Sequence, residues 1–241
     1  KKRKESDELS GDKFFENRLN EKDKKFVDVT KESNIYDSPL GYGLAITTTD
    51  FNNDGWLDIY VGNDFHENDY LYLNNKDKTF TESIKNSMSH TSHFTMGVDV
   101  ADLNQDGSLD VFTTDMMPYD PKRFLKSGGE DLDKISRIKK DLGFEQQFSR
   151  NHMQISRGNN TFSEVAIQTN THATDWSWGV LLQDFDSDGR DDIFISNGIL
   201  KRPNDLDYIN YLSNVDFTQY NNSRQDVIKK KLIDKMPTLK I

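Results

Sequence analysis

The sequence predicts an all-β protein made of tandem units, each with four short antiparallel strands. Three observations carry this expectation. A nine-residue Asp-rich stretch occurs three times, a strand–turn–strand block also occurs three times, and the two recur in a fixed order. Internal repetition on this scale defines an architecture before any single element does.

The nine-residue stretches are Asp50-Phe-Asn-Asn-Asp-Gly-Trp-Leu-Asp58, Asp102-Leu-Asn-Gln-Asp-Gly-Ser-Leu-Asp110 and Asp184-Phe-Asp-Ser-Asp-Gly-Arg-Asp-Asp192. Each follows a small-plus-apolar run (Ala45-Ile46, Gly97 to Val100, Gly179 to Leu182) and precedes a β-branched or aromatic one (Ile59 to Val61, Val111 to Thr113, Ile193 to Ile195). The second block pairs Leu71-Tyr-Leu-Asn74 with Thr79-Phe-Thr-Glu82, and Met153-Gln-Ile-Ser156 with Thr161-Phe-Ser-Glu164. Leu19-Asn20 before Lys25-Phe-Val-Asp28 repeats it a third time. One unit therefore reads strand, Asp-rich loop, strand, connection, strand, tight turn, strand. That order describes a propeller blade.

Unit boundaries fall at about 26–80, 80–162 and 162–241, so residues 1–241 read as one partial β-propeller domain of about three blades. The Asp-rich loops start 52 and then 82 residues apart. The excess lies in an insertion at about 118–148, where Asp131 to Lys140 has helical spacing of apolar residues. A second non-β segment spans about 201–241, with one helix expected around Leu206, Ile209, Tyr211 and Leu212 and another around Val227, Ile228, Leu232 and Ile233. Both insertions enlarge the connection between strands 2 and 3, opposite the Asp-rich loops. Loops on a rigid scaffold are where binding tends to reside, so that face is the expected partner surface. Propellers close with about four to eight blades, so the chain reads as an internal slice of a longer protein.

Composition fits this frame. The chain is 34% hydrophobic and 30% charged, with 15 Phe, 9 Tyr and 3 Trp, which suits short strands around aromatic cores. No apolar run is long enough for a membrane helix, so no membrane insertion is expected in this segment. Lys1-Lys-Arg-Lys-Glu5 has no signal-peptide character. The absence of cysteine excludes disulfides and thiolate metal sites. The net charge of −10 argues against nucleic acid as a partner. It is also concentrated: positions 1, 3, 5 and 9 of the three loops hold ten aspartates, so the rest of the chain is close to neutral.

Asp-rich loops of this form point to calcium. A hard cation takes six to eight oxygens at about 2.3–2.6 Å. Positions 1, 3 and 5 supply side-chain oxygens: Asp50, Asn52, Asp54; Asp102, Asn104, Asp106; Asp184, Asp186, Asp188. Gly55, Gly107 and Gly189 at position 6 allow a sharp turn. Position 7 offers a main-chain carbonyl from Trp56, Ser108 or Arg190, and Asp58, Asp110 and Asp192 at position 9 close the shell, expected to be bidentate. Leu57 and Leu109 at position 8 are expected to anchor the loop in apolar surroundings; Asp191 departs from that pattern. The EF-hand starts alike but requires Glu at position 12, where this chain has Val61, Thr113 and Ile195. Magnesium, which demands a near-ideal octahedron, fits less well. About three Ca²⁺ ions, one per loop, are therefore expected as folding components.

The pattern resembles the FG-GAP or VCBS repeats of integrin α-subunit propellers. It is similar in more detail to bacterial surface proteins of the ASPIC/UnbV type, relatives of cartilage acidic protein, through Gln146 to Asn151, Trp176-Ser-Trp-Gly179 and Ser196 to Ile199. The resemblance covers about residues 15–215 and implies a seven-bladed propeller with calcium in its blade loops. It also implies export to the cell surface or beyond, and adhesion or carbohydrate-related binding, with a protein or carbohydrate ligand.

Remaining candidates are read conservatively. His90 and His93 form an H-x-x-H, but His90 and His172 share one repeat column, which favours packing or hydrogen bonding near the propeller axis over zinc. His66 and His152 look solitary. Trp176 and Trp178 occupy the columns of Phe94 and Met96, favouring core or inter-blade packing over sugar stacking. No Ser/His/Asp order, phosphate loop or dinucleotide fingerprint is present, so no enzyme is expected. The alternative is a propeller-based enzyme acting on polysaccharide, or an accessory domain of one. A calcium sensor is disfavoured, since no helix pair is available to open.

Overall fold

The computed structural model describes residues 5–7, 10–22, 24–128, 131–215 and 232–238. The chain opens with a hairpin, β1 (Phe15–Arg18) and β2 (Lys25–Asp28). A four-stranded antiparallel meander follows: β3 (Gly43–Thr49), β4 (Asp58–Asn63), β5 (Tyr70–Asn74) and β6 (Phe80–Glu82). After the short α1 (Ile84–Ser87) and β7 (Thr91–Ser92) comes a second meander, interrupted by an insertion. Its strands are β8 (Gly97–Ala101), β9 (Asp110–Thr114), β11 (His152–Ser156) and β12 (Phe162–Glu164). The insertion carries α2 (Pro121–Phe124) and α3 (Asp133–Asp141), and returns through β10 (Gln147–Phe148), which pairs in parallel with β7. The chain then forms a hairpin of β13 (Ser177–Gln183) and β14 (Asp192–Asn197), followed by α4 (Leu206–Ser213).

The structure is thus mostly β with few helices, and its strand order within each unit is the one the repeats predict. The helix expected around Leu206 is α4. Of the next expected helix, Val227 and Ile228 lie outside the described residues, while 232–235 form a helical turn.

Strand alternation explains how these sheets stack. In β4, Tyr60 faces one side while Ile59 and Val61 face the other; in β5, Leu71 and Leu73 oppose Tyr70 and Tyr72. Tyr60, Leu71, Phe51, Val111 and Phe162 fill one apolar layer between the two meanders. Val61, Tyr70, Tyr72 and Phe80 fill a second, on the side that carries Phe14. Phe112 with Val180 and Leu182 forms a third, between the second meander and β13. Successive inner strands come close enough to need glycine: a Cβ on Gly97 would lie 2.9 Å from the Gly179 Cα.

Polar groups buried between units are paired by a device that the repeats use twice. Asp69 Oδ1 accepts the Asn63 N–H at 2.8 Å, and Asn151 Oδ1 accepts the Asp115 N–H at 2.8 Å. Each pair joins one buried carboxyl to one buried carboxamide, with their order along the chain exchanged. Asp69 also accepts from Tyr60 Oη at 2.7 Å and from Thr95 Oγ1 of the next unit at 2.9 Å. Asp115 accepts from Ser92 Oγ at 2.5 Å and the Phe94 N–H at 3.0 Å. Burial pushes both carboxyls up to about 7.

Candidate functional site: the Asp-rich loops

The three loops join inner strand to second strand in each unit and share one local geometry. The position-1 carboxylate accepts the N–H groups of positions 5 and 6: Asp50 from Asp54 at 2.9 Å and Gly55 at 2.6 Å, Asp102 from Asp106 at 3.0 Å and Gly107 at 2.8 Å, Asp184 from Asp188 at 3.0 Å and Gly189 at 2.8 Å. Position 3 accepts the same position-5 N–H, through Asn52 at 3.1 Å, Asn104 at 3.0 Å and Asp186 at 3.1 Å. Position 5 accepts the N–H of position 7: Asp54 from Trp56, Asp106 from Ser108 and Asp188 from Arg190. The glycines sit at φ near +86°, +86° and +88°, in the left-handed region that a Cβ resists. The effect is to gather the side-chain oxygens of positions 1, 3 and 5. In the third loop, one oxygen from each of Asp184, Asp186 and Asp188 lies within 4.8 Å of the others.

Position 9 behaves differently. Asp58 and Asp110 are fully buried and clamp the loop to the sheet. Asp58 accepts the Phe51 N–H at 3.0 Å and, through its other oxygen, the Asn74 N–H of β5 at 2.8 Å. Asp110 does the same with Leu103 at 3.0 Å and Ser156 of β11 at 2.8 Å. Burial raises both carboxyls, and the carboxylates at positions 1 and 5 add repulsion. In these two loops position 9 thus lies near positions 1 and 5. Both of its oxygens are already engaged with amides, so any cation shares them.

The position-5 carboxylate has a partner of its own in each loop. Lys76 lies 3.3 Å from Asp54, the Asn104 amide 2.9 Å from Asp106, and Arg190 2.7 Å from Asp188. The Asn104 and Arg190 hydrogen bonds lower Asp106 and Asp188. The loops also touch one another. Asn53 Nδ2 donates to the Gly107 carbonyl at 3.4 Å, and Gln105 Nε2 to the Gly189 carbonyl at 2.6 Å. Both donors occupy position 4, so the contact is itself a repeat feature, and the sequence pattern did not reveal it.

Two expectations need correction. Leu57 is 63% exposed and anchors nothing apolar; its carbonyl accepts the Asn74 amide at 3.0 Å, so the backbone holds this part of the loop. Trp178 is about half exposed, because a bulge between Ser177 and Gly179 turns it outward, where its indole N–H donates to the Gly198 carbonyl at 2.7 Å. Trp176 is half-buried.

The histidines separate. His90 lies 3.5 Å from Glu164, which also takes Arg150 at 2.6 Å; against burial, these two partners hold Glu164 well below the usual carboxylate range. His152 packs on His90, and burial pushes it down to about 3. His93 stacks on Phe94 with centroids 4.2 Å apart and has the His66 ring 5.6 Å away.

Fold and loops together define a repeat-built β protein with one Asp-rich turn per unit. The FG-GAP-like repeat family matches the chain at residues 50–113 and 140–195, and these two stretches contain all three loops. The match supports the repeat and does not reach the ASPIC/UnbV relationship. No curated protein matches the chain.

Proposed function

We propose that this protein is a calcium-stabilised β-propeller segment that serves as a binding or adhesion scaffold outside the cell. The observation that carries the reading is the shared loop geometry, in which three side-chain oxygens per loop converge and, in the first two loops, stand beside a buried position-9 carboxylate. Oxygen-only donors in a flexible turn suit Ca²⁺. The residues that would hold it are Asp50, Asn52, Asp54, Asp58 and the Trp56 carbonyl, Asp102, Asn104, Asp106, Asp110 and the Ser108 carbonyl, and Asp184, Asp186, Asp188, Asp192 and the Arg190 carbonyl. Bound calcium would offset the crowding of these carboxylates and stabilise the folded state by mass action.

Continuation of the propeller is supported by the last hairpin. Phe194 occupies the repeat column of Tyr60 and Phe112, which pack against the following unit, yet it is 57% exposed, with Phe185 and Leu181 beside it. A further blade would cover this face, and a seven-bladed ring is the closure that the resemblance implies.

Binding rather than catalysis is supported by where several strongly perturbed groups lie. Asp69, Asp115 and His152 are all buried in contacts that tie strands and units together. The ligand face we favour is the one bearing the insertions, which pack on each other. Gly128 N–H donates to the Asn204 carbonyl at 2.9 Å, and Leu206 N–H to the Lys126 carbonyl at 2.7 Å. With the end of β9 they enclose a mostly apolar cavity of about 320 Å³, lined in part by Phe94, Met117, Phe124 and Leu206. A protein or carbohydrate ligand fits this relief. Equilibrium dialysis tests the calcium reading: about three Ca²⁺ per chain are expected, and about two after Asp184→Ala with Asp188→Ala. Failure to retain calcium at millimolar concentration overturns it.

A further inference from the structure

We propose that His66, His93 and Asp131 form a second kind of metal site, for a transition dication such as Zn²⁺. One ligand atom from each residue lies within 4.8 Å of the others, and the two imidazole rings stand 5.6 Å apart, tilted by 36°. The three come from separate segments: His66 from the β4–β5 connection, His93 from the stretch after β7, and Asp131 from the insertion ahead of α3. Nothing in the repeat spacing links them, which is why His66 looks solitary in the sequence. The adjacent His90 of the H-x-x-H turns instead to Glu164 and Arg150.

The donor set differs in kind from the Asp-rich loops. Two imidazoles and a carboxylate suit zinc and its neighbours, whereas calcium takes oxygen almost alone. Three protein ligands also leave a coordination position for water or a ligand atom. Accessibility is graded across the cluster: His93 is buried, Asp131 half-buried and His66 exposed, which gives the site a floor and an entry.

A single side chain holds the three segments in place. Gln147 Nε2 shares its two hydrogens among three carbonyls, those of Phe65 at 3.3 Å and Glu67 at 3.1 Å, on either side of His66, and that of Ser92 at 3.2 Å, immediately before His93. Its Oε1 accepts from Lys139 Nζ at 2.8 Å, and the same ammonium lies 2.9 Å from Asp131 Oδ2. His93 Nδ1 lies 3.3 Å from Ser149 Oγ, the sort of hydrogen bond that orients a metal-bound imidazole. An ion pair between Lys139 and Asp131 alone would need neither histidine. Neighbours of the cluster, Phe94 beside His93, Leu132 beside Asp131, and Ser149, line the ligand-sized cavity. A metal here would give the insertion face a Lewis-acidic or anion-binding corner.

The test uses the untagged 241-residue chain, first saturated with Ca²⁺ and then titrated with Zn²⁺ by calorimetry and with Co²⁺ by visible absorption. One Zn²⁺ per chain is expected, with cobalt bands of low-coordinate nitrogen ligation. Affinity should fall at least about tenfold in both His66→Ala and Asp131→Asn. His66 is exposed, so its variant keeps the fold, which circular dichroism checks. Absence of a calcium-independent Zn²⁺ site, or unchanged binding in His66→Ala, overturns the proposal.

Discussion

The third unit repeats the first two in sequence and departs from them in environment. In the first two, the position-9 aspartate has both oxygens on backbone amides, and the aromatic residue two positions later is sealed against the next unit. In the third, Asp192 is exposed and, among the described residues, accepts only the Phe185 N–H at 3.3 Å, while Phe194 is 57% exposed. The same residues are thus structural or superficial according to whether a third strand and a following unit stand beside them. Motif identity sets what a loop can do, and neighbouring units set how firmly it is held.

The largest effect should come from the aromatic column. Phe112→Ala is expected to cost about 3–5 kcal/mol by chemical denaturation, whereas Phe194→Ala should change stability by no more than about 0.5 kcal/mol. Equal costs would break the comparison. The clamp should show the same split. Measured in chelator, Asp110→Ala leaves two buried amides unsatisfied and should cost about 2–5 kcal/mol, against about 1 kcal/mol or less for Asp192→Ala.

A further test works through pH. Asp69 is held near 7 by burial, so the native state keeps a proton that the unfolded chain releases near pH 4. Its contribution to stability is therefore full below the unfolded value and falls as pH rises towards 7. Asp69→Asn gives the first unit the carboxamide that the second has at Asn151. The variant should gain on the wild type between pH 5 and pH 7, and parallel stability curves would count against the buried carboxyl. The smallest effect concerns the cations beside position 5. Removing Lys76 or Arg190, both solvent-exposed partners, should tighten calcium binding by about twofold.

Much of this was legible in the sequence, for a physical reason. Period-two alternation and the Asp-x-Asn-x-Asp-Gly turn are local, so strands β3, β4, β8, β9, β13 and β14 and the geometry of positions 1 to 7 follow from short stretches. What depends on neighbours was not legible. Leu57 has a position-8 identity that suggests burial, yet no described element covers it. Trp178 follows its repeat column until a bulge rotates it. The position-4 contacts between loops and the meeting of His66 with His93 join segments tens of residues apart, and the exchanged carboxyl–carboxamide pairs span 6 residues in one unit and 36 in the next, with no spacing rule to announce them.

The central claim is that the Asp-rich loops are calcium sites that form part of the folded structure. Thermal melting of the intact chain, in millimolar Ca²⁺ and in chelator, tests it most directly. The account predicts a melting transition raised by several degrees in calcium, with the gain lost when Asp50, Asp102 and Asp184 are replaced by Ala together. Superimposable curves for the wild type in the two solutions would contradict it.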